Sequence, residues 1–228
     1  MFAIDLNHPD IKAIRKHIKE ASFKKGDMVL SPDKETTYLY SIRKGFVKLY
    51  TVNSREEQAI ILIYGPDDIF PLSWIIGRQR QPFYFQAISD CEIALLPQDV
   101  FLKQMQDSSD VTFAVMHKII EQFALFTSRV NNLEYKYARE RLAYRLLLLS
   151  ARFGETKGRD SVLPHISQTD LASMINVSRE GVSREMSRFE RVGLVEYSKI
   201  RIVIKNPDGL KKELGGDDQM LFKNRELA

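Results

Sequence analysis

Between residues 23 and 96 the apolar positions fall into short runs separated by turn-forming clusters. The runs cover 28–30, 38–42, 46–52, 59–64, 83–88 and 92–96. The breaks are Lys25-Gly26-Asp27, Ser31-Pro32-Asp33, Lys44-Gly45, Asn53-Ser54 and Gly65-Pro66-Asp67-Asp68. Short β-rich runs at this spacing predict an all-β barrel or sandwich. Upstream, Ile11, Ile14 and Ile18 lie at helical spacing and predict a short amphipathic helix over 10–21.

From Asp107 the period changes. Met116, Ile119, Phe123, Phe126, Val130, Leu133 and Tyr137 step alternately by three and four, with no proline or glycine between them. That is a heptad seam, and it needs a continuous apolar partner. A second copy of the same helix is the simplest partner, so these residues are the expected interface of a parallel homodimer. The alternative partner is the chain's own β domain, which the off-seam residues Phe113 and Leu125 are placed to face. The two arrangements are compatible. A further helix over 139–153 stops at Gly154, and 155–165, with Gly158 and Pro164, reads as a polar connection.

Residues 167–191 divide into two helices about a tight turn. Ser167 with Asp170 matches a Ser/Thr-x-x-Asp/Glu helix start. Leu171, Met174 and Ile175 form the apolar face, Asn176 suits a left-handed stop, and Ser178 caps the next helix. In that helix Val182, Met186 and Phe189 point inward, while Arg179, Glu180, Ser183, Arg184, Ser187, Arg188 and Arg191 fall on the other face. A solvated amphipathic helix would account for the outer face alone. Cap, turn and preceding helix together make a helix-turn-helix. The major groove admits such a helix. Arginine grips guanine O6 and N7 with two bonds, glutamate accepts from cytosine N4, and arginine and serine further along hold phosphates.

Residues 193–197 and 201–204 then read as two strands around Ser198-Lys199-Ile200, a β wing that places Lys199 and Arg201 near the DNA backbone. Residues 210–214 predict a closing helical turn. The expected DNA-contacting set is Ser167, Gln168, Ser178, Arg179, Glu180, Ser183, Arg184, Ser187, Arg188, Lys199 and Arg201.

Charge supports the same placement. The net charge of +4 is unevenly spread: residues 1–138 balance, 139–215 carry 15 basic against 10 acidic residues, and 216–228 carry 2 against 3. A polyanion partner is therefore expected for the C-terminal third alone. The chain has 228 residues, 44% hydrophobic and 28% charged, a globular composition with room for a real core. Its single cysteine, Cys91, excludes internal disulfides and cysteine-held zinc or iron–sulfur clusters, and fits a reducing compartment. No apolar run approaches a membrane span, and Asp5 and Asp10 do not suit a leader peptide. A soluble cytoplasmic protein is expected.

With these residues in hand, the chain resembles the Crp/Fnr family of bacterial transcription regulators over about residues 5–214, most strongly over 168–191. Ser178-Arg179-Glu180-Gly181-Val182-Ser183-Arg184 is similar to the family's recognition-helix signature. Lys25-Gly26-Asp27, residues 38–42 and Gly45-Phe46-Val47-Lys48-Leu49-Tyr50 are similar to the opening strands of its cyclic-nucleotide-binding β-roll. The resemblance implies an α+β protein. Its parts would be an N-terminal double-stranded β-helix, or jelly-roll, sensor domain over 1–106, a long dimerisation helix over 107–138, a winged helix-turn-helix over 139–215 and a tail over 216–228. It also implies that ligand at the β-roll and dimer helix reorients two recognition helices, and that Arg179, Glu180 and Arg184 read base edges of a palindrome with GTGA-like half-sites. RNA polymerase is a further implied partner. Gly181 stands where the family often has threonine, which removes one phosphate contact.

The departures bear on what is sensed. The family's nucleotide pocket uses a Gly-Glu pair for the ribose and an Arg-Ser pair for the cyclic phosphate. The corresponding positions here are Pro71-Leu72 and Gln81-Pro82, with Arg80 one residue away and so on the opposite face of a strand. A buried phosphate without a cation is costly, so cyclic AMP and cyclic GMP are not expected to bind. Phe70, Leu72, Trp74, Ile75, Phe83, Tyr84 and Phe85 line the same segment, with Thr127 on the long helix. They read either as an apolar pocket for an uncharged or aromatic effector or as a filled core without ligand. The four histidines, His8, His17, His117 and His165, are scattered, and no spacing suggests a metal, a haem or another cofactor. No nucleophile–base constellation points to an enzyme. The rival reading is a ligand-sensing regulatory module acting through protein contacts.

Overall fold

The computed structural model describes residues 15–78, 82–158 and 160–214. The chain divides into two compact units, Met1–Thr127 and Ser128–Ala228.

In the first unit a 3-10 turn at Arg15–His17 leads into strands β1 (Lys19–Phe23), β2 (Met28–Leu30), β3 (Tyr38–Lys44), β4 (Val47–Val52), β5 (Gln58–Tyr64), β6 (Ile69–Phe70), β7 (Tyr84–Ala87) and β8 (Cys91–Pro97). They form two four-stranded antiparallel sheets, ordered β1-β8-β3-β6 and β2-β7-β4-β5. The sheets close on a shared apolar interior. Phe70 of one sheet stacks on Phe85 of the other with ring centroids 4.7 Å apart; Tyr40 stacks on Phe70 from its own sheet and Tyr64 lies tilted against it from the other. Ile42, Val47, Leu49, Ile60 and Ile93 are fully buried around them. Gly45, at φ +89°, turns the chain from β3 to β4; a Cβ there would collide with the Asp90 carbonyl and Cys91, so the tight Gly-Phe turn needs glycine.

Helix α1 (Leu72–Ile75), helix α2 (Gln98–Asp107) and the start of helix α3 (Ser109–Glu134) cap one end of this β-roll. Leu39, Ile69, Leu72, Ile75, Phe101, Val111 and Val115 make one cluster there.

In the second unit follow helix α4 (Ala138–Phe153), strands β9 (Glu155–Lys157) and β10 (Asp160–Pro164), helices α5 (Gln168–Ile175) and α6 (Arg179–Arg191), strands β11 (Val195–Tyr197) and β12 (Arg201–Ile204), and helix α7 (Pro207–Lys212). The strands form one antiparallel sheet, β11-β12-β10-β9. Leu142, Leu146, Leu171, Ile175, Val182, Phe189, Ile202 and Leu210 are buried between sheet and helices. The fold is thus the expected α+β arrangement of jelly-roll domain, long helix and winged helix-turn-helix.

Several local expectations are corrected. The helix predicted over 10–21 gives way at Lys19–Phe23 to β1, paired in register with β8; residues 10–14 lie outside the described residues. Ala21 and Phe23 turn inward while Glu20 and Ser22 face out, a period of two that the isoleucine spacing masked. The connection predicted over 155–165 is the hairpin β9–β10, with Gly158 at φ +65° in its turn. Glu155, Thr156 and Lys157 are all exposed, so β9 has no alternation to read. Helix α2 covers 98–107, the end of the stretch 1–106 given to the sensor domain and the first residue of that given to the long helix, where no separate helix is predicted. Of the two off-seam residues expected to face the β domain, Leu125 is buried but Phe113 is 68% exposed.

Candidate nucleic-acid interface

Each end of the two-helix motif is fixed by a side chain. The Ser167 hydroxyl accepts the Asp170 amide at 3.0 Å and donates to the Asp170 carboxylate at 2.6 Å, starting α5. Asn176, at φ 54° and ψ 55°, takes the left-handed stop. The Ser178 hydroxyl accepts the Gly181 amide at 3.1 Å and starts α6. Leu171, Ala172, Met174 and Ile175 of α5 and Val182, Met186 and Phe189 of α6 are buried, so the opposite side of α6 faces solvent.

That side carries the expected basic and polar row. Arg179, Glu180, Arg184 and Ser187 are exposed and Ser183 is half-buried. Arg179 and Arg184, both well exposed, come no closer than 3.6 Å to a neighbouring glutamate, the exposed Glu180 and the more buried Glu185. Such surface pairs hold a guanidinium weakly, and both can turn to another acceptor. Ser167 and Gln168 at the start of α5 are half-buried, Ser178 is exposed, and Lys199 and Arg201 are exposed on the wing.

Arg188 departs from the expected set. Its guanidinium is forked onto the Glu213 carboxylate just after α7, with both N–O distances 2.9 Å. The hydrogen bonds it donates to the Glu213 carboxylate raise its already high pKa. Arg188 thus faces α7 rather than projecting with Arg184, because the preference of a guanidinium for a planar carboxylate overrides its place on the helical wheel.

The motif is supported from behind. Met174 and Ile175 present the unpaired carbonyls of the C-terminal turn of α5. Arg129 Nη1 donates to the Met174 carbonyl at 3.0 Å, and Arg141 Nη1 to that of Ile175 at 3.4 Å. Arg141 also donates through Nε to Tyr135 at 2.8 Å and through Nη2 to Leu133 at 3.2 Å, both backbone carbonyls. Asn132 Nδ2 donates to the Arg141 carbonyl at 2.9 Å. One arginine thereby ties the end of α3 to the end of α5, and positive charge sits at two helix C-termini, where the helix dipole favours it. Nothing in the residue pattern around Arg141 signals this bracing role. Arg145, buried nearby, has its pKa pushed down to about 10 by burial, with Arg129 and Arg152 acting in the same direction; its Nε and Nη2 have no partner among the described residues.

In the first unit, the residues considered for an effector site divide. Phe70, Leu72, Trp74 and Phe85 come together in the β-roll interior, all buried. Trp74 meets Phe85 edge to face at 5.9 Å, and its Nε1 is buried without an acceptor among the described residues. Phe83 is half-buried. Thr127 is exposed and donates to the Phe123 carbonyl one turn back, so it does not reach toward the rings. Pro71 and Leu72 lead into α1; Arg80 and Gln81 lie outside the described residues. Cys91 is buried, and burial pushes its thiol pKa up, which suits a packed, unreactive side chain. No group of three or more His, Cys, Asp or Glu among the described residues is placed to hold a metal, and no helix there is long and apolar enough to cross a membrane.

Of the expected seam residues, Met116, Ile119, Phe123, Val130, Leu133 and Tyr137 are exposed within a single chain and Phe126 is half-buried.

Two family descriptions match the chain: a cyclic nucleotide-binding domain over residues 20–108 and a Crp-like helix-turn-helix domain over 140–213. A CRP-like cAMP-activated global transcriptional regulator of Mycobacterium tuberculosis is 21% identical over 203 residues, 89% of this chain and 91% of that protein. The fumarate and nitrate reduction regulatory protein of Escherichia coli is 23% identical over 199 residues, 86% of this chain and 79% of that protein. Among solved structures, FixK2 from Bradyrhizobium japonicum superposes with a TM-score of 0.75 at 21% identity, covering 88% of this chain and 98% of its own. A CooA variant from Carboxydothermus hydrogenoformans gives 0.75 at 20% identity, covering 92% and 94%.

Proposed function

The chain belongs to the Crp/Fnr family of DNA-binding transcription regulators, and from that premise we propose that it acts as a homodimer on a palindromic operator, reads base edges with Arg179, Glu180 and Arg184, and needs no cyclic nucleotide to do so. The observation that carries this reading is the outer face of α6. Arg179, Glu180 and Arg184 stand exposed within two turns of a helix start whose inner face is fully packed, the geometry by which a recognition helix enters a major groove with its N-terminal residues on base edges.

The exposed stripe on α3 supports the homodimer. Phe123 is 70% exposed and Val130 60%, and an apolar seam of this length left in water favours a second copy. Two recognition helices would then enter successive major grooves about 34 Å apart. The protein works in the cytoplasm, with RNA polymerase as its second macromolecular partner.

Independence from cyclic nucleotides is supported by the β-roll interior. Pro71 and Leu72 offer no carboxylate for a ribose, and the stacked rings of Phe70 and Phe85 occupy the interior. An uncharged effector would have to part those rings, and the unmet group it would find there is the indole N–H of Trp74.

The test is fluorescence anisotropy of a labelled palindrome with two GTGA-type half-sites, titrated with ligand-free protein against a scrambled duplex at near-physiological salt. Selective binding to the palindrome, unchanged by added cyclic AMP or cyclic GMP, is expected. Equally weak binding to both duplexes, or selectivity that appears only with a cyclic nucleotide, overturns the reading.

A further inference from the structure

Among the described residues, Ile200 at the wing tip is the large apolar side chain that stands furthest into solvent, 81% exposed. An isolated exposed isoleucine is ordinary, but this one is held in place. The Ser198 amide donates to the Arg201 carbonyl at 3.0 Å and closes the turn between β11 and β12. The Ser198 hydroxyl accepts the amides of Ile200 and Arg201 at 3.3 and 3.2 Å and donates to the Arg201 carbonyl at 3.1 Å. With these amides tied inward, the Ile200 side chain is left at the apex.

The apex has matched neighbours and a fixed base. Lys199 and Arg201 on either side are exposed. At the other end of the hairpin, the Glu190 carboxylate of α6 accepts the Tyr197 amide at 2.9 Å, which fastens the wing to the recognition helix.

An apolar group flanked by two cations complements one edge of a duplex. Phosphates alternate with deoxyribose carbons, which are apolar and carry no sequence information. Proteins that reach the minor groove present apolar groups alongside such cations. We propose that Ile200 is an apolar DNA contact, pressed against the minor-groove deoxyribose edge that flanks each half-site, with Lys199 and Arg201 on the adjoining phosphates. The proposal rests on the DNA-binding reading above and adds to it a contact that is neither base-specific nor ionic.

That combination gives Ile200 a signature distinct from its neighbours. Removing a phosphate contact lowers the dependence of affinity on salt, whereas removing an apolar contact leaves it unchanged. Ile200→Ser should weaken binding about fivefold per half-site, the effect of uncovering roughly half of one isoleucine in each protomer, on palindromic and scrambled duplexes alike. The salt slope should stay that of the wild type, and Ile200→Leu should restore affinity. Lys199→Ala should instead reduce the slope. Hydroxyl-radical footprinting should show sugars beside each half-site that the wild type protects and Ile200→Ser does not.

Anisotropy across a salt series, with footprinting of the same complexes, decides the matter. Because Ile200 is 81% exposed, its replacement leaves the fold intact. Wild-type affinity and protection in Ile200→Ser overturn the contact and turn attention to a protein partner for the wing tip. A changed salt slope in Ile200→Ser also overturns it, since the residue would then act only by placing its charged neighbours. Wild-type protein that binds neither duplex overturns the DNA-binding reading together with this one, so the two failures are distinguishable.

Discussion

The guanidinium of Arg188 and the carboxylate of Glu213 lie edge to edge, Nη1 to Oε2 and Nη2 to Oε1 both at 2.9 Å. Glu213 is largely buried while Arg188 remains partly open to water, so the pair fastens the chain after α7 to α6 and engages one positive charge of the outer face of α6. Glu213→Gln should lower stability by about 0.5–1 kcal/mol, and by less at high salt, because water and ions screen a half-open pair. The freed arginine should steepen the salt dependence of DNA binding by about one unit per protomer. Urea melts at two salt concentrations check the first effect and an anisotropy salt series the second. An unchanged slope would mean that Arg188 lies out of reach of phosphate even when released.

Arg179 and Arg184 face solvent with only loose glutamate neighbours, which leaves them available to base edges. Replacing either with alanine should cost about 1–3 kcal/mol per half-site and flatten the preference at one base position. Affinities measured on a panel of operators, each altered at one base pair, provide the check. Equal loss on operator and random DNA would assign these residues to the backbone instead.

The turn between α5 and α6 depends on Asn176 and Ser178. Ser178→Ala removes the hydroxyl that accepts the Gly181 amide and should cost about 1 kcal/mol. Asn176 has a positive φ of 54°, so Asn176→Gly should be nearly neutral. Asn176→Val should destabilise by about 1–3 kcal/mol, because a β-branched side chain is strained in that region. Denaturant midpoints of the three variants test the ordering; equal stability of the glycine and valine variants would contradict the assigned conformation.

What the sequence revealed follows from where its signals were local. The α5–α6 motif was legible because Ser167, Asn176 and Ser178 each act on backbone within three residues, Asp170 meets the Ser167 hydroxyl, and caps are local events. Strands β2 to β5 were legible because turn clusters bound them. Strand β9 was not, since Glu155–Lys157 is exposed throughout and is defined only by its pairing with β10. Helix α2 hid behind the strand signal of the preceding residues, although Phe101 and Met105 lie one turn apart on its inner side. The ion pair of Arg188 was not legible because its partner Glu213 is 25 residues away. Arg141 escaped notice for the same reason, as its acceptors are backbone carbonyls at the ends of two other helices. The stacking of Phe70 on Phe85 joins strands from different sheets, so the sequence alone left pocket and packed core as alternatives.

The long helix offers the remaining test. Its seam residues project from a single chain, and Phe123, midway along, is 70% exposed. A glutamate there would cost the isolated chain little, since Phe123 buries only a minor part of its surface. In a parallel pair it would set two carboxylates against each other across the seam, where like charges are unfavourable and an apolar contact has gone. Phe123→Glu should therefore keep its thermal transition but sediment as a monomer at micromolar concentration, where the wild type sediments as a dimer. Each recognition helix would still fold, yet the second half-site would no longer be bound as an intramolecular step. Affinity for the palindrome should fall about a hundredfold or more, toward that for a lone half-site. A variant that remains dimeric and binds the palindrome normally would remove the seam from the interface and leave the β domain as the partner for this face of α3.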